Sequence, residues 1–187
     1  MFPTSLGGSI PTSPLQFNVK EISKPVAHSV YKAHHYFGNK DFLNLYSFGA
    51  LHDGEVWAAI SFGIPNAPAI KGLYTKDQQQ GVLEIVRLAC NLDCPKNTPS
   101  RLLRISIMLL RKKYPLKTLI TYADTAQGHD GGIYKAAGFD AHGLTAQKTD
   151  FIHADGKIKK MKGVKYSELE GQWVPRSRKY LFSKQYE

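Results

Sequence analysis

Two short stretches hold the side chains best suited to move a proton or to hold a metal. In "TYADTAQGHDGGIYKAAGF" (121–139) an apolar run stops at Asp124, a polar loop brings Gly128, His129, Asp130 and Gly131, and Tyr134 lies just before the closing Gly138-Phe139. Earlier, "AHHYF" (33–37) sets His34, His35 and Tyr36 side by side. A carboxylate at a strand end, with imidazoles and phenols around it, is the equipment of general acid–base catalysis. His35, Tyr36 and Asp124 also offer nitrogen and oxygen donors to a metal ion, but no HxxxH or HxD spacing groups them, which favours acid–base or hydrogen-bonding roles. Plainer uses exist. Asp124 can cap the turn after its strand, Tyr134 can pack under a short helix, and Gly128 and Gly131 can serve sharp backbone as readily as close approach of a ligand. Asp130 suits a helix cap better than catalysis. Of the two adjacent histidines, His34 is the weaker candidate, because neighbours on a helix diverge.

The elements that must position these groups read as follows. "FNVKEI" (17–22) has strand character. "KPVAHSVYKAHHYF" (24–37) is helical, with Ser23 as cap, Pro25 in the first turn and Val26, Val30, Ala33 and Phe37 on one face. Residues 43–65 hold two β-rich runs joined at Asp53-Gly54, a strong hairpin signal, and 66–80 is irregular. "GVLEIVRLAC" (81–90) alternates as a half-buried strand, with Leu83, Ile85 and Arg87 on one face and Val82, Glu84, Val86 and Leu88 on the other unless a bulge shifts the register. Thr98 as cap and Pro99 at the first position open an amphipathic helix over 100–114, ended by Pro115. A buried strand (117–124), a short helix (131–137) capped by Asp130 and closed by Gly138, and a last strand (180–186) follow. This order gives an α/β fold with a mixed central sheet flanked by helices. No GxGxxG follows the early strands, which argues against a dinucleotide fold.

A chain of 187 residues suits one domain with a real core. We expect an arm over 1–16, lacking the basic and apolar regions of a signal peptide, then a single domain over 17–187. Apolar residues make up 42%, yet no run approaches the ~18 residues of a membrane helix, so a soluble protein without membrane association is expected. Cys90 and Cys94 suit neither a disulfide framework nor a zinc site and read as reduced thiols. The net charge is +10, and residues 157–187 carry nine basic and three acidic residues. The basic segment, about 148–187, interleaves its cations with Tyr166, Trp173 and Tyr180. Such a mixture fits a polyanion with stackable bases, or equally an ordinary solvated basic face.

The order strand 81–90, proline-opened helix, strand 117–124 and "IYKAAGF" (133–139) is similar to the GNAT N-acyltransferase fold, whose C-terminal motif has this Tyr and Gly-Phe. More specifically, "AHHYF" (33–37), "LEIVRLACNLDCPKNTPSRLLRISIMLLRKKYP" (83–115) and "TYADTAQGHDGGIYKAAGF" (121–139) together resemble the Mom proteins of bacteriophages, over about residues 24–145. The resemblance implies transfer of a methylcarbamoyl (acetamido) group to the N6 amine of adenine in phage DNA, protecting it from host restriction. It also implies work in the cytoplasm of a bacterial host, on double-stranded DNA, and leaves an iron requirement open. His35, Tyr36, Asp124 and Tyr134 then become the catalytic candidates, with Asp124 as base or orienter and Gly128, His129 and Gly131 in the adjoining loop. A GNAT-like site meets its donor's phosphates at a helix start, so Arg87, Asn97, Ser100 and Arg101 are the donor-binding candidates. The usual glycine-rich pyrophosphate loop is missing, since "CPKNTPSR" has no glycine and two prolines without N–H. This departure counts against simple use of an ordinary acyl coenzyme A; the donor is expected to be of acyl or aminoacyl type, with acetyl-CoA one option. Lys112, Lys113, Lys157, Lys159, Lys160, Lys162, Arg176 and Arg178 are candidates for DNA phosphates.

Two rival readings stand beside this one: an ordinary GNAT acetylating a protein or small-molecule amine, and a non-catalytic DNA-binding module. An adenine methyltransferase would need a [DN]-P-P-[YFW] loop, which the chain lacks.

Overall fold

The computed structural model describes residues 9–36, 38, 42–65, 80–156 and 170–187. Its elements are β1 (Asn18–Glu21), α1 (Lys24–His34), β2 (Tyr46–His52), β3 (Glu55–Gly63), β4 (Val82–Cys90), α2 (Thr98–Arg111), β5 (Thr118–Asp124), α3 (Gly132–Ala136), β6 (Asp140–Leu144), β7 (Thr149–His153), β8 (Gly171–Pro175) and β9 (Lys179–Gln185). Seven strands form one sheet in the order β1-β2-β3-β4-β5-β9-β6, and β7 and β8 form a separate ribbon. In the large sheet β4 and β5 run parallel while every other neighbouring pair is antiparallel. The mixed α/β architecture expected from the sequence is therefore present.

Period-two alternation along β3 divides the two helix layers. Ala58, Ile60 and Phe62 bury against Leu102, Leu103, Ile107 and Leu110 of α2, whereas Ala59 meets Ala27, Val30 and Tyr31 of α1. On this second face the Tyr31 hydroxyl bonds the Ser61 hydroxyl at 2.8 Å, and Ser61 bonds Ser47 at 2.7 Å. The apolar face of α1 thus runs through Ala27, Val30 and Tyr31, not Val26 and Ala33, which are exposed; Phe37 lies outside the described residues. Tyr31, 1% exposed, completes that face. The hairpin turn does fall at Asp53-Gly54, both with positive φ.

Helix α2 begins differently from expectation. Asn97 in the left-handed conformation (φ 71°) is its N-terminal cap residue, and Thr98 is already helical, its hydroxyl donating to the Pro95 carbonyl at 2.7 Å. Of the proposed arm, Pro11 is buried, Ser13 caps a short 3-10 turn at Pro14–Gln16, and Ser9 bonds Asp53 through both its amide and its hydroxyl.

The loop after β5 is locked to β9 by a glycine. Gly131 has φ +78°, and a Cβ there would stand 2.2 Å from the fully buried Phe182 ring, whereas Gly128 (φ +68°) has open space around it. Gly131→Ala is therefore expected to cost about 2–4 kcal/mol, the left-handed penalty plus overpacking. Gly128→Ala should cost only about 1 kcal/mol, from the backbone alone. Urea unfolding of the two variants measures the difference.

Candidate functional site

Strands β4 and β5 pair only over Val82–Thr118, Leu83–Leu119 and Glu84–Ile120. Just beyond, the β3–β4 register jumps from Phe62–Ile85 to Ser61–Arg87, leaving Val86 as a bulge. The bulge turns Arg87 away from the face of Ile85, contrary to simple alternation. Ile85 and Leu88 pack toward α2, while the Arg87 guanidinium lies 4.9 Å over the Phe42 ring on the α1 side. The parted strands leave a cleft of about 630 Å³ lined by Glu84 to Cys90 on one wall and by Tyr122, Ala123 and the 127–134 loop on the other.

The end of α1 forms the third wall. The helix stops at His34, and His35 is extended (φ −114°), so His35 and Tyr36 leave the helix axis. As a result His34, His35 and Tyr36 all line the cleft, and the expectation that only one of the histidines faces it does not hold. The His35 and Tyr36 rings stack with centroids 4.4 Å apart, and His129 meets Tyr36 edge-on at 6.3 Å.

Burial and neighbouring charge set the protonation of this cluster. His35 is held down to about 4, first by burial and then by Arg87, His129 and Lys179, so its imidazole is neutral at pH 7. Tyr36 is raised by burial and next by the Asp124 charge, and Tyr122 is pushed up to about 12 by burial and by Glu84. Both phenols keep their protons. Tyr134 is buried, packed against Phe139 and Phe182, with burial raising its pKa. A neutral imidazole beside protonated phenols can accept one proton and donate others.

Asp124 does not stand among the lining side chains. It is 4% exposed; one carboxylate oxygen accepts the Ala126 N–H at 3.0 Å and the other lies 3.6 Å from the Lys179 ammonium. Because this carboxylate is committed behind the wall, His35, Tyr36 and Asp124 do not present a joint set of iron donors. Among the described residues no group of three His, Cys, Asp or Glu could hold a metal ion. Cys90, on the cleft wall, and Cys94 are free thiols.

The donor-binding candidates separate. Arg87 lines the cleft and donates to the Val86 carbonyl at 2.8 Å, and Asn97 caps α2. Arg101 has its Nε buried with no hydrogen-bonding partner among the described residues. Ser100 opens onto a second cavity of about 860 Å³, whose cations Arg104, Arg111, Lys112 and Lys184 surround Met108 and Tyr186. The two cavities share Ile133 and adjoin at Pro99-Ser100. Of the polyanion candidates, Lys112 lines this second cavity, Lys113 pairs with Glu21, Arg176 pairs with Asp150, and Arg178 donates to the Thr145 carbonyl at 2.8 Å. Lys157, Lys159, Lys160 and Lys162 lie outside the described residues. Sequence reasoning missed Lys179 as a cleft residue. It sits directly opposite Asp124 in the β5–β9 register, a pairing that no local pattern announces.

With this geometry in view, the model of the Mom protein family matches residues 16–185. The chain is 24% identical over 147 residues to the "Methylcarbamoylase mom" of Escherichia phage Mu, an alignment covering 76% of this chain and 59% of that protein. The chain thus spans well under two thirds of the length of that relative. Among solved structures it resembles Arabidopsis thaliana NAA60 in complex with acetyl-CoA (TM-score 0.58, 12% identity, 90% of this chain and 98% of that one). It also resembles a Bacillus subtilis acetyltransferase in complex with CoA (TM-score 0.56, 12% identity, 91% and 99%). A third is the ribosomal-protein-S18-alanine N-acetyltransferase of Escherichia coli (TM-score 0.53, 14% identity, 90% and 93%). The fold is that of the GNAT acetyltransferases.

The His35 environment gives a test with a definite sign. Its folded pKa lies below the ordinary 6.5, so the unfolded chain binds more protons between those values. The stability it contributes is complete above pH 6.5 and is lost as pH falls toward 4. NMR titration of the ring should find a midpoint near 4, and Arg87→Met should raise it without restoring 6.5, because burial is the larger cause.

Proposed function

Since the chain belongs to the Mom protein family, we propose that it is a transferase that modifies DNA by placing a methylcarbamoyl (acetamido) group on N6 of adenine, and so protects the DNA from restriction. The observation that carries this reading is the meeting of a neutral His35, a stacked Tyr36 and the β4–β5 gap in one cleft. Adenine's exocyclic amine is conjugated into its ring and is a poor nucleophile. As a bond forms at N6 the attached proton becomes strongly acidic, and even a weak imidazole base such as His35 can take it. The donor's leaving group departs with the pair of the broken bond, and a cleft phenol, Tyr36 or Tyr134, supplies the proton that group needs.

The base must leave the duplex to reach this depth, at a cost of a few kcal/mol that phosphate contacts offset. Tyr36, 43% exposed and backed by His35, offers a face on which a flipped purine can stack. Lys112 and Arg178, with the lysines of 157–162, are the proposed phosphate contacts. The site of action is accordingly the cytoplasm of a bacterial host, and among the described residues no helix is long and apolar enough to cross a membrane.

The structural neighbours solved with acetyl-CoA or CoA support an acyl-type donor. The residues here fit such a group. The reactive end would lie between the parted strands, and its anionic end would lie in the adjoining cationic cavity against Arg104, Lys112 and Lys184. The loop before α2 contributes less than usual, since Pro95 and Pro99 lack N–H groups and the Thr98 amide already bonds the Pro95 carbonyl. Side-chain cations therefore replace most of the backbone cradle.

Nucleosides from plasmid DNA made in cells with and without this protein test the reading by mass spectrometry. An added mass on deoxyadenosine is expected, reduced about 100-fold or more in His35→Ala, a loss typical of removing a general base. Unmodified DNA from cells holding folded protein refutes it. Purified protein should also bind duplex DNA with affinity that falls steeply as salt rises, and salt-insensitive binding counts against the polyanion contacts.

A further inference from the structure

We propose that the β7–β8 ribbon is the arm by which this protein docks on duplex DNA, laid in the major groove with Trp173 against the base edges. The proposal rests on the reading that DNA is the substrate, and it adds the element, the groove and the contact residue.

The ribbon stands apart from the rest of the fold. Its strands, Thr149–His153 and Gly171–Pro175, form a sheet of their own, and among the described elements they pack substantially on each other alone. Five cross-strand pairs make a rod about 17 Å long. Its root, by contrast, is tied down. The Thr145 amide donates to the Lys179 carbonyl at 2.8 Å, the Arg176 amide to the Lys148 carbonyl at 2.8 Å, and the Arg176 guanidinium forks onto Asp150. The Thr125 amide and hydroxyl both donate to the Arg178 carbonyl, at 3.2 and 2.7 Å. Thr125 leads directly into Gln127, Gly128 and His129, which line the cleft, so the arm and the cleft loop are held at one point. One face of the arm presents an aromatic. Phe151 and Trp173 are cross-strand partners, yet Phe151 is 4% exposed and Trp173 55%. Gly171 allows this, because a Cβ there would stand 2.6 Å from the Phe151 ring. The phenylalanine fills the space a side chain would take, and the indole, edge-on to it at 5.4 Å, remains at the surface.

Charge and shape select the partner. Residues 157–169, which join the two strands and lie outside the described residues, carry five lysines against one glutamate. Their complement is a polyanion. The major groove of B-DNA, about 12 Å wide and about 8.5 Å deep, admits a two-stranded ribbon, whereas the minor groove, about 6 Å wide, is too narrow unless forced open. Adenine also displays its N6 amine on the major-groove edge. An arm in that groove brings the cleft to the side of the duplex on which the amine lies. The indole there meets thymine methyl groups and base edges by apolar contact, which anchors the protein without fixing a long sequence.

The test measures binding, not turnover. Purified full-length protein is titrated onto a fluorescent DNA duplex, with thermal unfolding as a fold check. Trp173→Ala should weaken binding about tenfold, the loss typical of truncating an interface tryptophan. Gln172→Glu, a change of one exposed polar side chain on the same ribbon, should weaken it about threefold or more by repelling phosphates. Asn18→Asp, the same change of charge on β1 at the far edge of the sheet, should leave affinity within about twofold of wild type. Dimethyl sulfate interference locates the groove, since methylation of guanine N7, in the major groove, should block binding and methylation of adenine N3, in the minor groove, should not. The proposal is overturned if either folded ribbon variant binds as tightly as Asn18→Asp, if interference is confined to adenine N3, or if the ribbon variants change the oligomeric state while DNA affinity stands. A wild-type chain that binds no duplex defeats the DNA reading itself, so the two failures are distinguishable.

Discussion

The molecule turns on a parallel pairing that is allowed to last for three residues. Had β4 and β5 stayed zipped to their ends, backbone groups would have satisfied one another and the centre of the sheet would be closed. Instead the Val86 bulge falls just after the last pair, Glu84–Ile120, and the strands part. Antiparallel partners on the outer sides, β3 and β9, hold each diverging strand, so the rest of the sheet frames the gap. His35, Tyr36 and Tyr134 border that gap, and Asp124 stands directly behind it.

Around the gap, three cationic or imidazole neighbours and partial burial act in the same direction on His35, while burial and a nearby carboxylate act together on Tyr36. The result is a patch of groups that are uncharged at neutral pH inside a protein of net charge +10. A strongly basic surface attracts polyanions, while the uncharged His35–Tyr36 pair, set in a cleft that also holds Arg87, Lys179 and Glu84, can meet a neutral ring. This division of labour is what a protein needs if it is to hold DNA by its backbone and act on a base.

Much of the frame was legible in the sequence because it is written in local signals. The Asp53-Gly54 turn, the proline-opened α2, the buried run of β5 and the glycine after α3 each carry their own punctuation. Two of the differences, at α1 and at Arg87, share one cause, which is that the deciding contact lies far away along the chain. The inward face of α1 was missed because Tyr31 is buried by a bond to Ser61, thirty residues on. The face of Arg87 depended on a bulge whose position is settled by β3. Asn97 rather than Thr98 caps α2 because the Thr98 hydroxyl finds the Pro95 carbonyl. The five-residue strands β6, β7 and β8, of which β6 and β8 are largely exposed, carry too little apolar alternation to read one by one. Among the site residues, those on short motifs were found, and Lys179 was not, since its partner lies on another strand.

The placement of β9 has a consequence for how the molecule comes into being. Although it is the last strand in the sequence, it is inserted between β5 and β6 and supplies both Phe182, against which the Gly131 loop is seated, and Lys179. A nascent chain on the ribosome can complete the β1–β4 meander and lay down α2 while β5 still shows a bare edge. Only when residues 179–185 emerge can the Gly131 loop, part of one cleft wall, seat on Phe182. A chain cut short upstream of residue 179 lacks the Phe182 ring behind the Gly131 loop and leaves β5 with a bare sheet edge.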